Sequence, residues 1–161
     1  MVQLTQRTKP SFRNNRAEAE VRAREAAVQL YQRACLAGWW RRMASCLRRR
    51  SSDLLNLNEM ETKHRIINRY SVGVQLVALD QIQGSQGRCR DFDRAFYPRQ
   101  SHSQSRWLRV ATARELGIAL PPVQLVQVGD IYFVRDGHHR ISVARALGQS
   151  EIEAEVRVWQ I

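Results

Sequence analysis

Residues 122–148, PVQLVQVGDIYFVRDGHHRISVARALG, decide the fold class. Val123 to Val128 reads as a strand, and Ile131 to Arg135 as its return. Between them Gly129-Asp130 is a two-residue turn suited to a tight hairpin. Asp136-Gly137 ends the second strand, and a helix runs from about His138 to Leu147, stopped at Gly148. Beyond it, Ile152, Ala154, Val156 and Val158 alternate with polar or charged neighbours, the pattern of a half-buried strand. Strands interleaved with helices predict a small α/β (α+β) domain.

Toward the N-terminus the same punctuation continues. Ser101-x-x-Gln104 has capping-box spacing and opens a helix to about Leu116, with Gly117 as its stop. Asp91 to Phe96 reads as a single helical turn ended before Pro98. Gly84-Ser85-Gln86-Gly87 reads as a loop, and Val74 to Leu79 as a strand ending at Asp80. Residues 54–70 read as a short helix or connector, capped by Ser52 or Asp53. From Asn14 to Arg49 the pattern is helical, with Val21, Val28, Tyr31, Cys35, Trp39 and Met43 on one face and Gly38 as a bend or division. Residues 1–13 lack periodicity and read as a flexible tail. The expected division is a tail over 1–13, a basic helical extension over 14–73 and a domain over 74–161.

The chain of 161 residues is 43% hydrophobic, enough for a core. No run approaches the roughly 20 apolar residues of a membrane span, and no segment reads as a signal peptide. Cys35, Cys46 and Cys89 are odd in number and lack C-x-x-C spacing, which argues against a disulfide scaffold or zinc ribbon and suits a reducing, cytoplasmic location. Net charge is +11 and unevenly placed: residues 1–50 hold 12 Lys+Arg against three Glu, whereas residues 51–161 hold 14 against 12 acidic residues. An arginine-favouring composition explains the residue type but not the clustering. The cluster points to a nucleic acid, an acidic partner or an anionic membrane surface, with Arg22, Arg24, Arg33, Arg41, Arg42, Arg48, Arg49 and Arg50 as the candidate contacts.

The chemistry concentrates in Asp136-Gly137-His138-His139-Arg140, placed between a strand and a helix. A helix start carries unpaired N–H groups and partial positive charge. Gly137 permits a tight turn and close ligand approach, and Arg140 can grip a phosphate with two parallel hydrogen bonds. Such an assembly is a natural phosphate site. His138 and His139 add donors or a proton-transfer group. Asp136 is a candidate for holding magnesium, orienting a histidine or activating a hydroxyl. A second anion-contacting loop is expected at Gly84 to Arg94, where Gly87, Arg88 and Arg90 suit a phosphate and Asp91 and Asp93 suit magnesium or base chemistry. Cys89, between arginines, has a setting that could lower its pKa.

Residues 74–158 resemble the ParB/sulfiredoxin-like domain family, in which P-[PI]-[IV] leads into a strand hairpin and G-x-x-R opens a helix ending near A-L-G. The resemblance implies a small domain with a mixed sheet, whose G-x-x-R turn binds nucleotide phosphates. In ParB proteins the turn is G-E-R-R, matched here at Gly137 and Arg140. In sulfiredoxins it is G-C-H-R, matched at Gly137, His139 and Arg140; His138 stands at the position of the reductase cysteine, so sulfinic-acid reduction is not expected. An archaeal free-serine kinase of this fold has a similar D-G-H-x-R turn, matched at Asp136, Gly137, His138 and Arg140. The helix-turn-helix module of ParB partition proteins is not expected in the dozen or so residues after Gly148.

The resulting expectation is a protein that binds a nucleoside di- or triphosphate, ATP or CTP, with or without Mg2+. Its basic helical segment would contact DNA or RNA through phosphates, or serve a protein partner or a homodimer. Asp136 and His138 are the catalytic candidates if the activity is instead phosphotransfer or weak NTP hydrolysis. A nuclease lacks support from any dense acidic cluster. A membrane-surface or protein-docking adaptor is the remaining class.

Overall fold

The computed structural model describes residues 12–47, 53–99 and 103–161. In chain order the elements are α1 (Phe12–Leu47), β1 (Leu55–Asn56), α2 (Leu57–Lys63), β2 (Asn68–Ala78), a 3-10 turn (Leu79–Gln81), β3 (Ile82–Ser85), α3 (Gln104–Glu115), β4 (Val123–Val128), β5 (Ile131–Asp136), α4 (His138–Ala146) and β6 (Glu151–Gln160). The six strands form one mixed α/β sheet in the order β1-β3-β5-β4-β6-β2. β4 and β5 are the antiparallel hairpin, with Gly129 at φ +59° in its turn. β3 runs parallel to β5 and β4 parallel to β6, while β2 lies antiparallel to β6 at one edge.

Helix α4 explains how the layers join. One side of it, through Ile141 and Ala144, meets Val123, Leu125, Val134, Ala154 and Val156 of the sheet. The other side, through Val143, joins Trp107 and Ala111 of α3 and Ala27, Tyr31 and Ala34 of α1. Six of its nine residues are buried, and the polar ones among them, His138, His139 and Ser142, lie with the apolar ones between the two layers. The opposite face of the sheet is closed by α2, whose Leu57 packs on Val126, Val128 and Phe133.

Several expectations change at this level. The packed stripe of α1 is Ala23, Ala27, Tyr31 and Ala34, with Gly38 buried beside Tyr97. Of the stripe expected from large residues, Tyr31 is buried, whereas Val21, Trp39 and Met43 are exposed. Small residues win because they let α1 approach α3 closely enough for Tyr31 to meet Trp107 edge-on, with ring centroids 5.2 Å apart. Gly38 neither bends nor divides the helix: a Cβ there would lie 2.7 Å from Cβ of Tyr97, so it marks a close contact. Gly84 and Ser85 belong to β3 rather than a loop, because the ring of Phe133 occupies the space a side chain at Gly84 would need (Cδ1 at 2.2 Å). The edge strand β2 begins at Asn68, so residues expected in the basic extension pair with β6. Asn56, not Asp53, caps α2 by accepting the N–H of Asn58 at 3.1 Å, while Asp53 pairs with Arg99 at 2.7 Å. Residues 91–96 form a non-helical turn with Phe96 at φ +60°. Ser52 and Ser101, the other expected caps, lie outside the described residues, as do residues 1–11 of the expected tail.

Candidate functional site

The β5–α4 turn is held in a single shape by sterics. Gly137 sits at φ +97°, and a Cβ on it would lie 2.6 Å from Cγ1 of Val123. It occupies the N-cap position of α4, where no side chain caps the helix and the first turn has no acidic residue. The N–H of Ile141 is the first to return to the turn, bonding the Gly137 carbonyl at 3.0 Å. The N–H groups ahead of it therefore face the space before the helix.

That space is a cleft of about 310 Å³ lined by Arg88, Arg106, Val110, Arg135, Asp136, Gly137, His138, His139 and Arg140. Its four arginines come from four places: the loop after β3, α3, the end of β5 and the first turn of α4. Arg106 adjoins no motif, and Arg135, although it directly precedes Asp136, reads as the last residue of a strand, so neither was legible as a site residue. Arg140 is partly committed within the protein. It donates to the Pro121 carbonyl, to the Pro122 carbonyl at 2.9 Å and to Oδ2 of Asp136 at 2.5 Å. Its guanidinium thus ties the loop entering β4 to the start of α4.

His138 is buried and its bonding partners define its proton. Oγ of Ser85 accepts the N–H groups of Gly87 at 3.2 Å and Arg88 at 3.1 Å. With both lone pairs used, the hydroxyl proton goes to Nε2 of His138 at 2.7 Å. His138 is consequently neutral, with its own proton on Nδ1. Burial drives its pKa down to about 4, helped by the nearby Arg88 and His139 and opposed by Asp136. Phe92 stacks on the ring, with centroids 6.0 Å apart. Nε2 is spent on Ser85, so in this arrangement it is not a free general base.

The other candidate residues divide clearly. Arg88 enters the cleft and also pairs with Asp91 at 3.7 Å, whereas Gly87 and Arg90 are exposed and do not line it. Asp93 is buried away from the cleft and caps its own turn, accepting the N–H groups of Ala95 and Tyr97 at 2.9 Å each, with Arg42 at 3.9 Å. Burial raises its pKa despite those hydrogen bonds and the arginine. Asp136, Asp91 and Asp93 are not brought together, and among the described residues no group of three or more His, Cys, Asp or Glu is placed to hold a metal. The pKa of Cys89 is raised rather than lowered, first by burial and then by Glu59, so the basic neighbours do not activate it.

On α1, Arg22 bonds the Glu18 carbonyl at 3.3 Å and Arg24 lines a groove against α3. Arg33 and Arg41 are exposed. These arginines are spread around the helix rather than aligned in one track. Arg48, Arg49 and Arg50 lie outside the described residues.

No family model matches the sequence, and no curated protein matches it. Among solved structures the chain is similar to sulfiredoxin from Arabidopsis thaliana, at 18% identity and a TM-score of 0.39, over 54% of this chain and 86% of that one.

Proposed function

We propose that the chain binds a nucleoside di- or triphosphate, with the phosphates seated in the cleft before α4. The observation that carries this reading is the convergence of Arg88, Arg106, Arg135 and Arg140 on a helix start that no side chain caps. Guanidinium groups and free N–H groups are the donors that phosphate oxygens take. The G-x-x-R turn resembles the phosphate-binding turn of ParB-like domains, which supports the same reading. Asp136 is the one carboxylate lining the cleft and the residue left to meet Mg2+ arriving with a nucleotide. The spent Nε2 of His138 favours binding over phosphoryl transfer. Contact with DNA or RNA through Arg22, Arg24, Arg33, Arg41 and Arg42 would be a separate, phosphate-directed activity of α1.

Titration calorimetry with ATP, CTP and GTP, with and without magnesium, tests the proposal. Arg106→Ala and Arg135→Ala, both at exposed residues, should each weaken binding about tenfold or more, the worth of one charge-assisted hydrogen bond. Both variants should keep the wild-type urea midpoint. Absence of binding by the wild type, or wild-type affinity in both variants, would reject the site.

A further inference from the structure

Helix α1 carries a second apolar face that the fold does not use. Leu36, Trp39, Trp40, Met43 and Leu47 follow one another at spacings of 3, 1, 3 and 4, which at 3.6 residues per turn puts them along one side of the helix. The packed residues Ala23, Ala27, Tyr31, Ala34 and Gly38 lie about half a turn away around the axis. All five residues of the second face are exposed, Trp40 by 61% and Leu47 by 85%. The two tryptophan rings meet edge-on with centroids 4.8 Å apart. A contiguous apolar patch of this kind needs a partner.

We propose that this face docks α1 flat onto an anionic lipid surface. Charge selects that occupant. Residues 26–52 contain six arginines and no acidic residue; Arg42 turns inward to Asp93 at 3.9 Å, whereas Arg33 and Arg41 are exposed, and Arg48, Arg49 and Arg50 follow the stripe directly in the sequence. Tryptophan and arginine next to aliphatic side chains is the composition of a helix lying in the headgroup region. A second copy is disfavoured because it would set this arginine-rich helix against itself in a chain of net charge +11. Nucleic acid is disfavoured because Leu36, Met43 and Leu47 neither stack on bases nor donate to phosphates. The opposite face of α1, packed on α3 and α4, keeps the body of the protein behind the helix.

The test uses the full chain with two kinds of vesicle: phosphatidylcholine alone, and phosphatidylcholine with roughly one-third phosphatidylglycerol. Co-sedimentation is expected with the anionic vesicles only, weakening as salt screens the arginines. The double variant Trp40→Ser/Met43→Ser, and separately Leu47→Ser, should keep the far-UV circular dichroism of the wild type. The double variant should bind roughly tenfold or more weakly, because it removes apolar area from the contact. The proposal is overturned by wild-type protein that stays in the supernatant, or by variants that bind as well as the wild type. It is equally overturned if the wild type forms dimers or binds a single-stranded oligonucleotide in a way the double variant loses, without binding vesicles.

Discussion

Gly137 and His138 sit side by side but answer to different physics. Gly137 is required twice, by its left-handed φ and by the 2.6 Å approach of Val123. Gly137→Ala should therefore cost about 2–4 kcal/mol in urea unfolding, and it should cost less in a Val123→Ala background, which lacks the Cγ1 clash but keeps the Cβ at 2.9 Å and the backbone strain. His138 is neutral in the folded chain, with a pKa near 4, against roughly 6.5 when unfolded. Below pH 6.5 the unfolded chain takes up the proton first, so stability falls as the pH drops from about 6.5 to 4. The full change is about 3 kcal/mol. His138→Gln should flatten that fall in urea midpoint. Asp93, with its raised pKa, works in the opposite sense as the pH drops, so the difference between wild type and variant isolates the histidine. An identical pH profile in both proteins would refute the assignment of His138 as a buried, neutral imidazole in the folded chain.

At the scale of elements, α1 is bound to the fold by small residues. Its 36 residues span about 54 Å, and the contact with α3 and α4 depends on Ala27, Ala34 and Gly38 leaving room for Trp107 and Tyr97. Gly38→Val should force α1 away from Tyr97, the clash costing about 1–3 kcal/mol. Hydrogen exchange should localise that effect, with faster exchange in the C-terminal half of α1 and unchanged protection in β4, β5 and β6. Uniformly faster exchange would mean that α1 and the sheet unfold as one unit. The loop between β3 and α3 is likewise an element of packing: Phe92 and Phe96 are fully buried, and Arg145 of α4 donates to the Leu79 and Ile82 carbonyls beside it.

Over the whole molecule, the excess positive charge serves two places on the proposed readings: the cleft before α4 and the outer face of α1. A nucleotide that binds only the folded chain should raise its thermal midpoint, by a margin equivalent to about 2.7 kcal/mol at a hundredfold excess over Kd. Raising the salt should shrink that gain through screening. Trp40→Ser/Met43→Ser should leave the nucleotide-dependent shift intact, whereas Arg106→Ala should reduce it and leave vesicle binding unchanged. Loss of both activities in either variant would show that the two places are not independent. Among the described residues no helix is long and apolar enough to cross a membrane, so lipid contact by α1 would be at the surface.

The sequence by itself determined the elements from Val123 to Gln160 and the conformation of the turn between them. Gly129-Asp130, Gly137 and Gly148 act through their own backbone angles, and the alternation in β6 is a property of a few consecutive residues. Those are short-range effects, so they are legible without partners. Tertiary structure alone decided which face of α1 is buried, since large residues at 36, 39, 40, 43 and 47 and small ones at 23, 27, 34 and 38 both follow helical spacing. Only the shape of α3, with Trp107 in the way, makes the small face fit. It also decided the cleft: Arg106 and Arg135 stand 29 positions apart and meet because α3 and β5 both border the start of α4. Ser85 reaches His138 over 53 positions because β3 pairs with β5. Contacts of that range depend on the packing of whole layers, which no local pattern encodes.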